Sequence, residues 1–184
     1  MPADPILGPV LFTAAQIRRR VRQLAKQISR LYGDQEVRLV TVLKGGVFFL
    51  TDLARELTCP VTLDFLGISS YGPGIQSGEV RLTKDLDESI VDRHVLIVED
   101  VVDTGLTLGY IRRVLEQRQP ASLRVCILFD RPYRRLVDLP IDFVGFELPD
   151  RFVVGYGLDY RQRYRNLRAV HFVRSEALPV PELP

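Results

Sequence analysis

The sequence predicts an α/β fold with a mostly parallel, twisted sheet flanked by helices. Short continuous apolar runs, such as residues 95–98, are typical of strands that are buried on both faces of a sheet. These runs alternate with segments of helical periodicity, which indicates βαβ units joined by right-handed crossovers. The chain of 184 residues shows no repeat and no linker, so we expect a single domain over residues 1–184.

The N-terminal part of the chain is predicted to hold an arm and one amphipathic helix. Residues 1–12 contain prolines and a glycine and are predicted to form an irregular arm. Thr13 and Gln16 have the spacing of a capping box, which marks a helix start. Apolar residues then recur at spacings of four and three up to the expected helix end at Gly33: Ile17, Val21, Leu24, Ile28 and Leu31.

The middle of the chain continues the alternation of strands and helices. Residues 37–43 are predicted to form a strand, residues 47–57 a helix and residues 61–67 a second strand. Residues 68–87 are rich in glycine, serine and charge, and they are too long for an ordinary connection in a compact domain. We interpret this segment as a mobile hairpin that serves as a lid.

The C-terminal half is predicted to complete the sheet. A strand is expected at residues 95–98, a helix at 108–118 and a strand at 123–129. Short strands are expected near residues 142–146 and 169–173. The tail, residues 178–184, is rich in proline and is predicted to be disordered.

Composition and charge exclude several classes of protein. The formal net charge is only +2, so no strong basic field indicates a nucleic-acid partner. No apolar run approaches the length of about 20 residues that crosses a bilayer, and the N-terminus lacks a signal pattern. Cys59 and Cys126 have neither CxxC spacing nor histidines nearby, which favours buried, reduced thiols. These features predict a soluble cytoplasmic protein without a membrane or nucleic-acid partner.

Residues 94–108 (HVLIVEDVVDTGLTL) are the most informative segment. An apolar strand ends there in the adjacent acids Glu99 and Asp100, and Asp103, threonines and Gly105 follow before a helical pattern. Ligands of open α/β sheets bind beyond the carboxyl ends of the strands. A glycine permits close backbone approach, while hydroxyls, free amides and the helix dipole favour an anion. The segment predicts a phosphate site beside a site for a diol.

Each of these features also has a plain structural explanation. Asp103 could cap the helix, and the two acids could be a solvated pair at a loop start. Lys44 and the two glycines after it could form a simple turn between a strand and a helix. Against this, only Lys26, Lys44 and Lys84 among the 25 basic residues are lysines, and Lys44 precedes a helix N-terminus suited to an anion.

The segment EDVVDTGLTL resembles the 5-phosphoribosyl-1-diphosphate (PRPP) signature of type I phosphoribosyltransferases, in the form of the hypoxanthine-guanine enzymes. LKGG at 43–46, SSYG at 69–72 and residues 142–165 are similar to the same family, in the same order. The resemblance implies that family's fold, with a flexible hairpin lid and a small hood for the base. It implies transfer of 5-phosphoribosyl from PRPP to N9 of hypoxanthine and/or guanine, which gives IMP or GMP and pyrophosphate.

The resemblance also implies roles at the PRPP end of the site. Glu99 and Asp100 would hold the ribose hydroxyls directly or through the cofactor Mg²⁺, and Asp103 would be the general base at purine N7. The residues of the 5′-phosphate cradle would be Asp103, Thr104, Gly105, Leu106, Thr107 and Leu108. The residues that contact pyrophosphate would be Lys44, Gly45, Ser70, Tyr71 and Arg165. The family carries a cis peptide between the residues that match Leu43 and Lys44.

The remaining implied roles concern the purine. The base pocket would contain Arg131, Phe152, Val153 and Asp159, with Phe152 stacking on the ring and Asp159 also contacting Mg²⁺. Arg131 departs from the family pattern, in which a lysine donates to the 6-oxo group. His94 and His171 have no paired ligands in the sequence and are interpreted as structural.

A second hypothesis is a PRPP- or nucleotide-sensing regulator of the same fold. Such a protein needs only binding and could dispense with the lid, the LKGG loop or the acid at position 103, yet this chain retains all three. A scaffold has no positive support in the sequence. The expected partners are PRPP, a 6-oxopurine and further copies of the chain in a homodimer or homotetramer. The preference among hypoxanthine, guanine and xanthine is left open.

Overall fold

The computed structural model describes residues 4–70 and 80–177, which form two sheets and three α-helices. These residues also include two short 3-10 turns: Pro132–Arg134 after the sixth strand and Ser175–Ala177 after the last strand. The strands and α-helices in chain order are β1 (Leu7–Phe12), α1 (Ala14–Tyr32), β2 (Val37–Val42), α2 (Val47–Glu56), β3 (Val61–Ser70), β4 (Val80–Lys84), β5 (His94–Val102), α3 (Leu106–Glu116), β6 (Ser122–Asp130), β7 (Phe143–Glu147), β8 (Val153–Val154) and β9 (Val170–Val173).

The larger sheet has six strands in the order β4-β3-β2-β5-β6-β7. All neighbouring pairs are parallel except β3 and β4, which are antiparallel. The mostly parallel α/β fold is therefore confirmed. From β2 the chain continues to β3 on one side, whereas from β5 it continues to β6 on the other. The crevice between β2 and β5 is thus the point where the strand order reverses, and α/β proteins bind ligands at such points.

The larger sheet is buried on both faces because successive side chains of a strand point to opposite sides. On β5, Leu96 and Val98 belong to the apolar core that α1 and α2 cover. Val95 and Ile97 belong to the core that α3 covers. This two-sided burial accounts for the continuous apolar run in the sequence.

Helix α1 begins and ends as predicted. The Gln16 amide donates to Thr13 Oγ1 at 3.3 Å, and the Thr13 amide donates to Gln16 Oε1 at 2.8 Å, so both halves of the capping box are present. Gly33 ends the helix with φ +58, in the left-handed region that favours glycine. Ile17, Val21, Leu24 and Ile28 of the predicted apolar face are buried, whereas Leu31 is 45% exposed, and Tyr32 is buried in its place.

The irregular arm predicted for residues 1–12 is wrong for its second half. Residues Leu7–Phe12 form β1, which pairs with β9 in a three-stranded sheet of order β1-β9-β8. The pairing has register shifts between Leu7 and Val10 and between Val10 and Phe12. Pro9 lies within this irregular stretch of an edge strand, where a missing amide proton is tolerated. Pro9 therefore predicted an interruption of regular structure, but an edge strand with register shifts accommodates a proline.

Two predicted boundaries around the acidic segment are also corrected. Strand β5 does not end at Val98 but pairs with β6 as far as Val102, so Glu99 and Asp100 lie within it. Helix α3 begins at Leu106 instead of residue 108, because Gly105 already turns the chain with φ +82.

The predicted lid lies only in part within the described residues. Residues 68–70 continue β3 and residues 80–84 form β4, so the flanks of the segment pair as an antiparallel hairpin. Tyr71 and the rest of residues 71–79 lie outside the described residues, as do residues 1–3 and the predicted tail at 178–184. The closing motion of this hairpin therefore stays a prediction.

Two further expectations concern the cysteines and membranes. Cys59 and Cys126 are both free and buried, as predicted, and burial raises the pKa of the Cys126 thiol far above its ordinary value. Within residues 4–70 and 80–177, none of the helices has the length and apolar character needed to cross a membrane.

Candidate active site

A cleft of about 320 Å³ opens at the carboxyl ends of β2 and β5. Its wall brings together residues from the loop after β2, from β5, and from the segments that follow β6 and β7. The lining residues are Val42, Leu43, Lys44, Gly45, Glu99, Asp100, Val101, Asp103, Arg131, Val153, Leu158, Asp159 and Arg165.

A smaller cleft of about 200 Å³ adjoins the first and shares Glu99, Val101 and Asp103 with it. Thr104, Gly105, Thr107 and Leu108 of the predicted phosphate cradle line it, together with residues of β5 and α3. Leu106 differs from the other cradle residues because its side chain is exposed and does not line this cleft.

Gly105 gives the phosphate cradle its shape. It holds the left-handed conformation, and an added Cβ would lie 3.0 Å from Val137 Cγ2 and 3.1 Å from Leu139 Cδ1. Gly105 is also the N-cap of α3, and the first amide of the helix, that of Leu106, donates to Thr104 Oγ1 at 3.4 Å and not to Asp103. The alternative that Asp103 merely caps the helix is therefore wrong. Thr107 and Leu108 line the smaller cleft, and their first-turn amides, which have no intrahelical acceptor, are suited to donate to an anion.

Glu99 is anchored to the neighbouring strand. The Val42 amide donates to Glu99 Oε1 at 2.7 Å, and the Thr41 hydroxyl donates to the same oxygen at 3.3 Å. Desolvation, followed by the charge of the neighbouring Asp100, raises the pKa of Glu99 well above its ordinary value. One oxygen of this carboxyl is thus committed to holding β2 and β5 in register at the floor of the cleft.

Asp100 lies at the point where the loop after β2 and the segment of Gly157 and Arg165 meet strand β5. It is only 9% exposed, and burial raises its pKa to about 6, although the Val101 amide and Arg165 act in the opposite direction. The Val101 amide donates to Asp100 Oδ1 at 2.9 Å. The oxygens of this carboxyl are suited to a cation or to sugar hydroxyls.

The loop after β2 approaches Asp100 through a glycine. The Leu43–Lys44 peptide is cis, as the resemblance implied. A Cβ added to Gly45 would lie 1.9 Å from Asp100 Oδ2, and one added to Gly157 would lie 2.4 Å from the Gly45 carbonyl oxygen. Neither position has room for a side chain. Glycine at these two positions therefore lets the loop after β2, strand β5 and the segment around Gly157 meet at one point.

Arg165 and Asp159 close the same end of the cleft. Arg165 Nη2 lies 2.7 Å from Asp159 Oδ1, and Arg165 Nη1 donates to the Gly157 carbonyl at 2.7 Å. The charge of Arg165 also acts on Asp100. Lys44, Gly45 and Arg165, which were predicted to contact pyrophosphate, therefore line one cleft. For Ser70, the last residue of β3, the structure describes no side chain, and Tyr71 lies outside the described residues.

Arg131 and Val153 lie in the part of the cleft predicted to take the purine. The Arg131 amide donates to the Val102 carbonyl at 3.1 Å, and its Nη2 donates to the Arg151 carbonyl at 3.1 Å. Its Nε is buried and has no hydrogen-bond partner among the described residues. Phe152 is 41% exposed, packs edge-on against Tyr160, and is absent from the cleft wall formed by the described residues.

The donor set of the cleft fits Mg²⁺ only with help from a substrate. No group of three or more His, Cys, Asp or Glu side chains in residues 4–70 and 80–177 could hold a metal ion. Asp100 and Asp159 both line the cleft, and their oxygens are the ligands that Mg²⁺ prefers. Because Mg²⁺ is commonly held by one or two carboxylates plus substrate phosphates and water, these residues fit a metal that arrives with its substrate.

Some contributors to the site were missed in the sequence. Thr41 is fully buried in β2, and a polar residue inside an apolar strand was the available signal for its bond to Glu99. Arg134 was also missed, although its Nε lies 3.2 Å from Asp103 Oδ1. Its sequence neighbourhood is rich in arginine, so nothing distinguished it from a solvated charge.

The chain is similar in sequence and in structure to known proteins. Residues 11–161 match the phosphoribosyl transferase domain family. The chain is 51% identical over 173 residues to the hypoxanthine-guanine phosphoribosyltransferase of Mycobacterium avium, which covers 90% of this chain and 84% of that protein. It is 48% identical over 161 residues to the hypoxanthine phosphoribosyltransferase of Salmonella typhimurium, covering 86% and 90%. A crystal structure of a Staphylococcus aureus hypoxanthine phosphoribosyltransferase superposes with a TM-score of 0.90 at 39% identity and covers 95% of both chains.

Proposed function

The chain belongs to the phosphoribosyltransferase family, and we propose that the cleft between β2 and β5 is its active site. The enzyme transfers the 5-phosphoribosyl group from PRPP to N9 of hypoxanthine, guanine or both, a reaction of purine salvage that yields IMP or GMP and pyrophosphate. One observation carries the assignment of the site: the LKGG loop after β2, the acids of β5 and Arg131 line a single cleft.

PRPP would bind with its 5′-phosphate in the smaller cleft. The amides at the turn of Gly105 and at the start of α3 would donate hydrogen bonds to the phosphate. The hydroxyls of Thr104 and Thr107 would donate further bonds, and the helix dipole would favour the negative charge. The diphosphate would lie against Lys44, Gly45 and Arg165, and the positive charges of Lys44 and Arg165 would offset the negative charge of the departing pyrophosphate. This places the ribose between the two, above Glu99 and Asp100.

The acids of β5 would hold the ribose. Asp100 presents a buried carboxylate, whereas Glu99 is already fixed by the Val42 amide and supports the floor of the site. With PRPP bound, Asp100 and Asp159 would also hold Mg²⁺, and Glu99 would contribute if the metal lies on its side of the ribose. When bound, the metal would supply positive charge to the diphosphate as the bond to C1 of the ribose breaks.

Asp103 would accept the proton from N7 of the purine. As N9 bonds to C1 and pyrophosphate departs with the electron pair of the broken bond, the proton on N7 becomes acidic and needs an acceptor. Asp103 lines both clefts, between the phosphate cradle and Arg131, which suits a group that serves the base and the ribose together. We assign it the role of general base.

The base would be recognised mainly by Arg131. Arg131 lines the cleft, and its guanidinium supplies donors and no acceptor, which suits the 6-oxo group of hypoxanthine or guanine. Val153 and Leu158 add apolar surface to the same wall. Stacking by Phe152 stays a prediction, because this side chain would have to turn toward the cleft.

Arg131→Lys is expected to retain activity and adenine is expected to be rejected by both proteins. Both cations donate and neither accepts, so a 6-amino group faces a poor partner in either protein. The planar guanidinium needs more room than an ammonium group, so the ratio of guanine to hypoxanthine use is expected to shift. The measurement is kcat/KM for hypoxanthine, guanine and adenine on both proteins.

Arg151→Lys provides a matched control for this prediction. Arg151 lies over the Phe172 ring at 4.1 Å and does not line the cleft, so the same substitution there should leave the base ratio unchanged. Efficient use of adenine by the native enzyme would refute the assignment of Arg131 to the 6-position.

The regulator hypothesis is not favoured, because the relatives are enzymes and the chain keeps the LKGG loop and Asp103 at the cleft. PRPP and a purine base are the expected partners. Homodimer or homotetramer formation and a cytoplasmic location stay predictions. Sedimentation of the purified chain over a range of concentrations would measure the first.

A further inference from the structure

Arg134 lies beside Asp103 but lines neither of the two clefts. We propose that Arg134 is a positioning residue, which holds one oxygen of the Asp103 carboxylate so that the other faces the purine. This inference rests on the proposed function, because it needs Asp103 to act on the base. It assigns a role to a residue that neither the sequence pattern nor the cleft lining indicates.

Backbone hydrogen bonds fix the position of Arg134 relative to Asp103. The Arg134 amide donates to the Arg131 carbonyl at 3.0 Å, which closes the 3-10 turn. The Arg131 amide donates to the Val102 carbonyl at 3.1 Å, and the Leu136 amide donates to the Thr104 carbonyl at 2.9 Å. The segment after β6 is therefore joined to the segment after β5 on both sides of Arg134, immediately before and after Asp103.

The two oxygens of Asp103 have different surroundings. Oδ1 is buried and accepts no hydrogen bond of good geometry from the described residues, and Arg134 Nε lies 3.2 Å from it as an ion-pair partner. The side chain as a whole is nevertheless 44% exposed, so Oδ2 is the oxygen open to the cleft. A buried anionic oxygen without a partner is unfavourable, and the guanidinium offsets that cost while leaving Oδ2 free.

The pair is poorly placed to stabilise the fold. The Arg134 side chain is 47% exposed, and ion pairs at such exposure contribute little to the free energy of unfolding. Because Arg134 lies outside both clefts, it is also not placed to bind PRPP or the base directly. Its effect should therefore appear in the chemical step and not in substrate affinity or stability.

The first test is kinetic. Arg134→Gln is expected to lower kcat by about 10-fold, since small losses of orientation are costly in a proton transfer, with KM for PRPP and for hypoxanthine changed less than about 2-fold. Arg134→Lys should recover most of the loss, because an ammonium group can reach the same oxygen. Arg112→Gln, which removes an arginine from the ion pair with Glu116 on α3, is the matched control and should leave kcat unchanged.

The second test is a double-mutant cycle with Asp103→Asn. If Arg134 acts through Asp103, adding Arg134→Gln to Asp103→Asn should cause no further fall in kcat. An equal fall in both backgrounds, or a raised KM for PRPP with kcat unchanged, would overturn the inference. If Asp103→Asn lowers kcat while Arg134→Gln does not, the inference alone fails. If Asp103→Asn leaves kcat unchanged, Asp103 is not the general base, and the inference about Arg134 fails with it.

Discussion

Replacing Asp103 by asparagine is expected to lower kcat by about 10²-fold or more while PRPP still binds. The substitution keeps the size and shape of the side chain, and the phosphate cradle is formed largely by Gly105 and backbone amides, which it leaves in place. What it removes is the proton acceptor between the phosphate cradle and Arg131. Steady-state kinetics should show the loss, and calorimetric titration with PRPP and Mg²⁺ should show near-native affinity.

Asp138→Asn is the control for the loss of a carboxylate charge. Asp138 is exposed and lies in the segment after β6, away from the two active-site clefts. Its replacement should leave kcat unchanged. An unchanged kcat in Asp103→Asn would end the assignment of this residue as general base, whereas a large loss of PRPP affinity would assign it to binding instead.

Chelation of divalent cations is expected to abolish transfer, and added Mg²⁺ should restore it. The cleft offers Asp100, which is buried, and Asp159, which is paired with Arg165 at 2.7 Å. Because no three acidic side chains among residues 4–70 and 80–177 are grouped so that they could hold a metal ion, the protein alone is a poor metal site. We therefore also expect Mg²⁺ to bind much more tightly in the presence of PRPP than in its absence.

Two controls separate metal removal from other effects of a chelator. A chelator saturated with Mg²⁺ beforehand should leave transfer intact, and Mg²⁺ titrations followed by calorimetry should reveal the dependence on PRPP without relying on activity. Full activity in excess chelator would contradict the role of the metal. Equal affinity for Mg²⁺ with and without PRPP would contradict a site shared with substrate oxygens.

The elements of the larger sheet could be predicted because their signals are local. The apolar run of β5 reflects burial on both faces, and the capping box before α1 reflects two hydrogen bonds from backbone amides to side-chain oxygens within one turn. Strand β1 could not be predicted, since its pairing with β9 links residues near the two ends of the chain. Its proline and glycine are local signals of irregular structure that this distant pairing overrides.

The residues of the candidate site were identified partly from local chemistry and partly from resemblance. The order of acids, threonines and glycine after an apolar strand indicated a phosphate site, which the turn at Gly105 supports. The anchoring of Glu99 by the Val42 amide could not be predicted, because it depends on which strand lies beside β5. The pairing of Arg134 with Asp103 likewise requires the bonds that join the segments after β5 and β6.

The most direct test of the account is one reaction in which both products are counted. Purified protein is mixed with PRPP, Mg²⁺ and hypoxanthine or guanine, and pyrophosphate and nucleotide are measured at successive times. We expect one pyrophosphate for each IMP or GMP, and no release when the base is omitted or replaced by adenine. Binding of PRPP without formation of pyrophosphate or nucleotide, in the presence of Mg²⁺ and either 6-oxopurine, would contradict the account and indicate a binding protein.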